Sequence, residues 1–122
     1  MPTELSATEM DELKRTFKRC TAETIDAILS FRRTGDLAKL PLILRGIVRR
    51  FLREETRAFL DQCGPETPLS SLGVDSLTML EIVLDVQEAL DISIEDSELK
   101  RLQTLGDVDQ FLQQKTASLG AA

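Results

Sequence analysis

Leu72-Gly73-Val74-Asp75-Ser76-Leu77-Thr78-Met79-Leu80-Glu81-Ile82-Val83-Leu84-Asp85-Val86-Gln87-Glu88-Ala89-Leu90 passes from a loop into the sharpest helical pattern of the chain. Asp75 and Ser76 are both favoured residues for the N-cap of a helix. Leu77, Leu80, Val83, Val86 and Leu90 follow at spacings of three, three, three and four, which predicts one buried stripe. Glu81, Asp85 and Glu88 line another face. Upstream, residues 64–74 carry Pro65, Pro68, Thr67, Ser70, Ser71 and Gly73, a loop composition.

Toward the N-terminus, Leu40, Ile43, Leu44, Ile47, Val48, Phe51, Leu52 and Phe59 fit a 3.6-residue period, so a helix is expected from residues 38–41 to about Gln62. Pro41 suits its first turn, and Cys63-Gly64-Pro65 stops it. Arg45, Arg49, Arg53 and Arg57 fall four apart on this helix with Arg50 beside them, a ridge that could meet an anionic surface or form a solvated face with pairs such as Arg50–Glu54 and Arg57–Asp61. Further upstream, Ser6 with Glu9 is a capping-box signature, and Gly35 closes the stretch it opens. Met10, Leu13, Phe17, Cys20, Thr24, Ala27 and Phe31 form its stripe, with a possible break near Thr21. Downstream, residues 95–102 read as a short helix with an acidic first turn, and a closing helix over about 107–115 buries Val108, Phe111 and Leu112.

The expected fold is therefore all-α: a four-helix bundle of three long helices and one short, preceded by one or two extra N-terminal helices. The divisions are an extension over 1–36, a bundle over 37–117 and a mobile tail over 118–122. A chain of 122 residues allows one such domain.

The sequence holds 15 Lys and Arg, 21 Asp and Glu, two Cys and no His. Without an imidazole, Ser-His-Asp and Cys-His nucleophile systems, HExxH zinc sites and all His-ligated metal centres are excluded. Cys20 and Cys63 do not have metal-ligand spacing and read as two buried thiols. The Met-Pro-Thr-Glu start shows no signal-peptide pattern, which makes the cytoplasm the expected compartment. The acidity is uneven: residues 1–62 hold 12 basic and 10 acidic groups, net +2, whereas residues 63–122 hold 3 and 11, net −8.

Leu72-Gly73-Val74-Asp75-Ser76-Leu77, the acidic helix after it, Ile92-Ser93-Ile94, the Glu95-Asp96 turn and Leu105-Gly106-Asp107-Val108 together resemble an acyl carrier protein of the dissociated fatty-acid-synthase type. The resemblance covers about residues 40–115 and is most specific over 69–112. It implies a carrier with no catalytic residue and no metal of its own, on which Ser76 receives 4′-phosphopantetheine from coenzyme A through a separate phosphopantetheinyl transferase. A helix N-terminus favours the phosphodiester so formed, and Gly73 is expected to keep the approach unobstructed.

By the same resemblance, Asp75, Leu77, Met79, Glu81, Leu84, Asp85 and Glu88 would meet acyl-loading, condensing and acyl-transfer enzymes bearing basic patches. Leu80, Val83, Val86, Ile94, Leu99 and Leu102 would shelter the acyl chain. Thr78 stands where many relatives have an acid, and Glu95 replaces a common proline. The first 36 residues have no counterpart in the usual carrier, and are expected to dock on the bundle or recruit a partner for a specialised fatty-acid or polyketide-type pathway. The alternatives are an unmodified helical adaptor and a peripheral membrane module with Leu40–Leu52 on anionic lipid. The net charge argues against nucleic acid as a partner.

Overall fold

The computed structural model describes residues 6–120, with side chains to Ala117. Ser6 caps α1 (Ala7–Thr16) by accepting the Glu9 amide, while the Glu9 carboxylate accepts the Ser6 amide, so the expected capping box is formed. The stretch then breaks, and Thr21 caps α2 (Ala22–Thr34) by accepting from the Thr24 amide. The apolar stripe crosses this break: Leu13, Phe17, Cys20, Thr24, Ala27 and Phe31 are all buried.

A 3-10 turn over Leu37–Lys39 leads into α3 (Leu40–Arg49), with Pro41 in its first turn. The single helix expected to reach Gln62 is two helices here, because the chain turns at residues 50–53 and restarts as α4 (Glu54–Leu60). In one continuous helix Phe59 would share the stripe of Leu52, seven residues earlier. The turn rephases the chain, burying Leu60 at 1% exposure and leaving Phe59 at 51%.

A second 3-10 turn, Leu69–Leu72, precedes α5 (Ser76–Leu90), α6 (Asp96–Leu99) and α7 (Leu105–Gly120). The closing helix is longer than expected at both ends. Its backbone stays helical through residues 118–120 of the expected tail, and residues 121–122 lie outside the described part. The loop before α5 is stitched to the start of α7: the Leu69 amide donates to the Gln103 carbonyl, Leu105 to Thr67, and Gly106 to Pro65 at 2.7 Å. The fold is all-α as expected, with seven α-helices where five or six were expected, and no strand occurs among the described residues.

At the centre lies α3, whose Leu40, Ile43, Leu44, Ile47 and Val48 are each no more than 1% exposed. It touches α2, α5, α7 and α4. One hydrophobic cluster runs without interruption from Leu13 and Phe17 through α3 to Leu112, so the extension docks on the bundle through a shared core. Burying a residue such as Ile28 or Phe31 of α2 contributes about 1.5–3 kcal/mol.

The α2–α3 contact depends on Gly46, which carries no side chain where the helices meet. A Cβ there would lie 2.2 Å from Thr24 Oγ1 and 2.8 Å from Thr24 Cβ. The β-branched Thr24 is buried and its hydroxyl is bonded to Thr21 Oγ1, so it has little freedom to withdraw. Cys20 also reaches the Gly46 carbonyl, with Sγ at 3.8 Å.

The N-terminus of α5 is held by Asp75, whose Oδ1 accepts the Thr78 amide at 2.8 Å. That bond to the backbone holds the Asp75 carboxyl below its usual pKa range. The last turn of α5 ends at Asp91, in the left-handed region that Asp tolerates.

Two measurements check this packing. Gly46→Ala should lower stability in urea unfolding by about 1–2 kcal/mol, the overpacking cost exceeding the helix-propensity gain, and should cost less in a Thr24→Ala background. Equal stability of Gly46→Ala and wild type would show that the helices do not approach this closely. Because the Asp75 pKa is lowered by folding, its capping stabilisation is present above the ordinary aspartate range and is lost as pH falls through the folded-state value. The melting difference between wild type and Asp75→Ala should therefore narrow from neutral pH to about pH 2, whereas a constant difference would exclude the carboxylate as the capping group.

Candidate functional site

Ser76 is the first residue of α5 and is exposed. It follows Val74, which is buried at 8% exposure, and Asp75, whose side chain is committed to the cap. The anchored valine and the cap place the serine hydroxyl outside the core, beside first-turn amides. Such amides have no partner within the helix and favour an anionic substituent. Gly73 contributes through its backbone: φ is +85°, and a Cβ built there meets nothing within 4 Å. Within the chain it is the left-handed conformation at the end of the 3-10 turn that calls for glycine.

Ser76 opens onto a groove of about 470 Å³ between the loop before α5, α5 itself and the segment around α6. Leu69, Val74, Met79, Leu80, Leu99 and Leu102 line it, with Ser70, Lys100 and Gln103 as polar neighbours. Of the residues expected to shelter an acyl chain, Leu80, Leu99 and Leu102 are in this lining. Val83 and Val86 face the core instead, at 7% and 2% exposure, and Ile94 is half-buried against that core. Leu69 and Val74 were not anticipated. Their signal was the apolar residue on each side of Ser70-Ser71-Leu72-Gly73, which tucks the loop inward while leaving Ser76 outside.

The third wall, α6, is only four residues long and is fixed at its ends. Glu95 and Glu98 form a reciprocal capping arrangement, and the Glu98 carboxylate accepts from Lys115 Nζ of α7 at 2.9 Å. The bonds to the Glu95 amide and to Lys115 lower the Glu98 pKa.

The exposed side of α5 differs from expectation. Leu77 and Leu80 are 70% and 48% exposed, whereas Ile82 and Ala89 are buried beside Val83, Val86 and Leu90. Three successive steps of three residues each fall about 60° short of a turn, so Leu77 and Val86 point in opposite directions and cannot share a buried stripe. Leu84, at 59% exposure, joins Leu77 and Leu80 outside. Glu81 and Glu88 are exposed, and Met79 is half-buried against the core. Asp85 is drawn inward: its side chain is 19% exposed and pairs with Arg50 Nη1. Burial raises the Asp85 pKa, Arg50 opposes that rise, and Glu81 and Glu88 add to it.

The arginine ridge, apart from the exposed Arg53, is likewise turned to internal use. Arg45 Nη1 donates to the Leu60 carbonyl at the end of α4, at 3.1 Å, and Arg57 Nε donates to the Arg49 carbonyl at the end of α3, at 2.9 Å. Arg49 pairs with Asp61 at 2.7 Å. These partners replace the expected Arg50–Glu54 and Arg57–Asp61 pairs, because the break at residues 50–53 folds α4 back beside α3. The apolar side of Leu40–Leu52 is spent on the core, which leaves it no face for lipid. No helix of the described residues is long and apolar enough to cross a membrane. Both cysteines are free, Cys20 buried and Cys63 only half-buried, and burial raises the Cys20 pKa.

Comparison with known proteins places this geometry. An acyl carrier protein of an Exiguobacterium species is 43% identical over 44 residues, 36% of this chain and 56% of that protein, so the first of these matches spans little more than half of the relative. The acyl carrier protein of Exiguobacterium sibiricum is 30% identical over 71 residues, covering 58% of this chain and 85% of its own length. That of Desulforapulum autotrophicum is 28% identical over 71 residues, covering 57% and 92%. No solved structure gives a significant match. The family model for the phosphopantetheine attachment site matches residues 43–112, from within α3 to the middle of α7, and leaves α1 and α2 outside. On these matches the chain belongs to the phosphopantetheine-attachment family of acyl carrier proteins, a family of carriers and not of catalysts.

Proposed function

We propose that this chain carries acyl intermediates as thioesters on a 4′-phosphopantetheine arm attached to Ser76. The observation that carries the reading is the exposed serine at the start of a 15-residue helix, opening onto an apolar-lined groove. The residues fit the group: a hydroxyl in the open, first-turn amides beside the place of the phosphodiester, and Met79, Leu80, Leu99 and Leu102 along the groove.

In the attachment step the Ser76 oxygen forms a bond to the phosphorus of coenzyme A nearest the pantetheine. The pyrophosphate linkage breaks, adenosine bisphosphate leaves, and the serine proton passes to a base of the transferase. The bound arm supplies a terminal thiol for thioester chemistry. The chain's own contribution is to hold the attachment point rigid through the Asp75 cap and the buried Val74, and to offer the groove to the cargo.

The partners in this reading are a phosphopantetheinyl transferase and acyl-loading, condensing and acyl-transfer enzymes of a fatty-acid or polyketide-type pathway in the cytoplasm. Their basic patches would meet Glu81 and Glu88, while Asp85 is already paired with Arg50. The division into residues 1–36 and 37–117 belongs to the proposal as a division of role. The second part presents the cargo, and the first completes the core behind it.

Incubation with coenzyme A, magnesium and a broad-specificity phosphopantetheinyl transferase should raise the intact mass of the wild type by about 340 Da. Ser76→Ala, with an unchanged circular dichroism melt, should gain nothing. No gain in the wild type, or an equal gain in Ser76→Ala, would sink the assignment of the arm to Ser76.

A further inference from the structure

Attachment of an arm changes the charge at the head of α5. A neutral hydroxyl becomes a phosphodiester, which is an anion at neutral pH. The residue before it, Asp75, is an ionised cap whose carboxyl is already held below its usual pKa range. Two anions then stand on neighbouring residues, in a part of the chain, residues 63–122, that holds 3 basic and 11 acidic groups. Like charges so close repel unless a cation lies near enough to offset them.

The cations available are few. Of the three in residues 63–122, Lys115 is engaged by the Glu98 carboxylate at 2.9 Å and lies over the Phe111 ring. Arg101 is outside the lining of the groove beside Ser76, and Lys100 is the one cation within that lining, which it shares with Ser76 and Asp75. Lys100 is exposed and forms no ion pair among the described residues, although Asp96 and Glu98 precede it on the same short helix. Glu98 is withheld from it by Lys115 and by the Glu95 amide. The backbone beneath Lys100 is fixed as well: it ends α6, and Leu99 before it and Leu102 after it pack on the core.

We propose that Lys100 is a positioning residue for the arm, its ammonium answering the phosphodiester on Ser76 across the groove and drawing the arm along the groove instead of out into solvent. The proposal rests on the assignment of the arm to Ser76. The contact is a charge-assisted hydrogen bond between an ammonium and a phosphate oxygen. Lysine suits it, because a point charge with three donors on a flexible stem can follow a phosphodiester that has room to turn. Beyond that anchor, Met79, Leu80, Leu99 and Leu102 offer the pantetheine an apolar bed, and Ser70 and Gln103 can bond its amides. A carrier built this way keeps its cargo against its own surface between visits to enzymes, through an anchor that salt weakens.

The test compares apo and holo forms of the full chain, the holo form made from coenzyme A with a broad-specificity phosphopantetheinyl transferase, taken to completion and verified by intact mass. In about 20 mM sodium chloride the holo-minus-apo shift in melting temperature should be lower in Lys100→Gln than in wild type by about 2–4 °C. In about 500 mM salt the two shifts should agree within about 1 °C. Lys100→Arg, which keeps the charge, and Arg101→Gln, outside the groove, should both retain the wild-type shift. The apo melts confirm that each variant is folded. Phosphorus-31 relaxation gives a second reading that a merely structural lysine would not move: the phosphodiester signal should be broader in holo wild type than in holo Lys100→Gln.

Equal shifts, or equal phosphorus line widths, in wild type and Lys100→Gln would overturn the proposal while leaving Ser76 as the attachment point. An effect of Arg101→Gln as large as that of Lys100→Gln would overturn it too, by assigning the stabilisation to the general charge of this segment. A wild type that gains no mass would instead remove the assignment beneath the proposal, and the proposal with it.

Discussion

The desolvation of α3 is the constraint on which the other elements depend. Its buried side chains, Leu40, Ile43, Leu44, Ile47 and Val48, occupy an arc too broad for one neighbour to cover, so helices pack on several sides. On one side α2 comes close because Gly46 has no side chain, and it brings Ala27, Ile28 and Phe31 with it. On others α5 and α7 close the core, and their placement sets the start of α5 at the surface. The serine is therefore exposed because the residues around it are tied down.

The position of the extension changes what kind of appendage it is. A helix that only recruits a partner would keep its apolar face for that partner. Here Phe17, Ile28 and Phe31 are in the same cluster as Leu44 and Leu112, and Arg32 bonds the end carbonyls of α5. The family match begins at residue 43, but the hydrophobic core begins at Leu13. The unit defined by descent is thus smaller than the unit defined by packing. Such packing also accounts for the uneven charge. Arginines at 32, 45, 49, 50 and 57 are bonded to carbonyls and carboxylates that approach only in the folded chain.

Much of the site is legible in the sequence. Ser6 with Glu9 formed the box that their spacing announced, Gly35 ended α2, and Asp75-Ser76 began α5, since caps are local devices satisfied within four residues. The phase of α5 was harder to read. A run of apolar residues every third position suits either of two faces. The choice of Ile82 and Ala89 for the core, and of Leu77 and Leu80 for the surface, depends on where α2 and α3 lie. The break at residues 50–53 had no proline or glycine to mark it. It is favoured by contacts 8 to 15 residues apart, where Arg57 and Arg45 bond the exposed ends of α3 and α4.

By itself the sequence determined the all-helical class, the capped starts of α1 and α5, and the serine at the head of an acidic helix with a carrier pattern around it. Those features follow from capping, periodicity and composition, which act over a turn or two. Only the tertiary structure decided that Asp85 pairs with Arg50, that Arg45, Arg49 and Arg57 of the ridge are bonded within the fold, and that leucines dominate the outer side of α5. Each of these depends on which side chains meet across the core, and a charge or a leucine on one helix carries no local mark of what will lie opposite it.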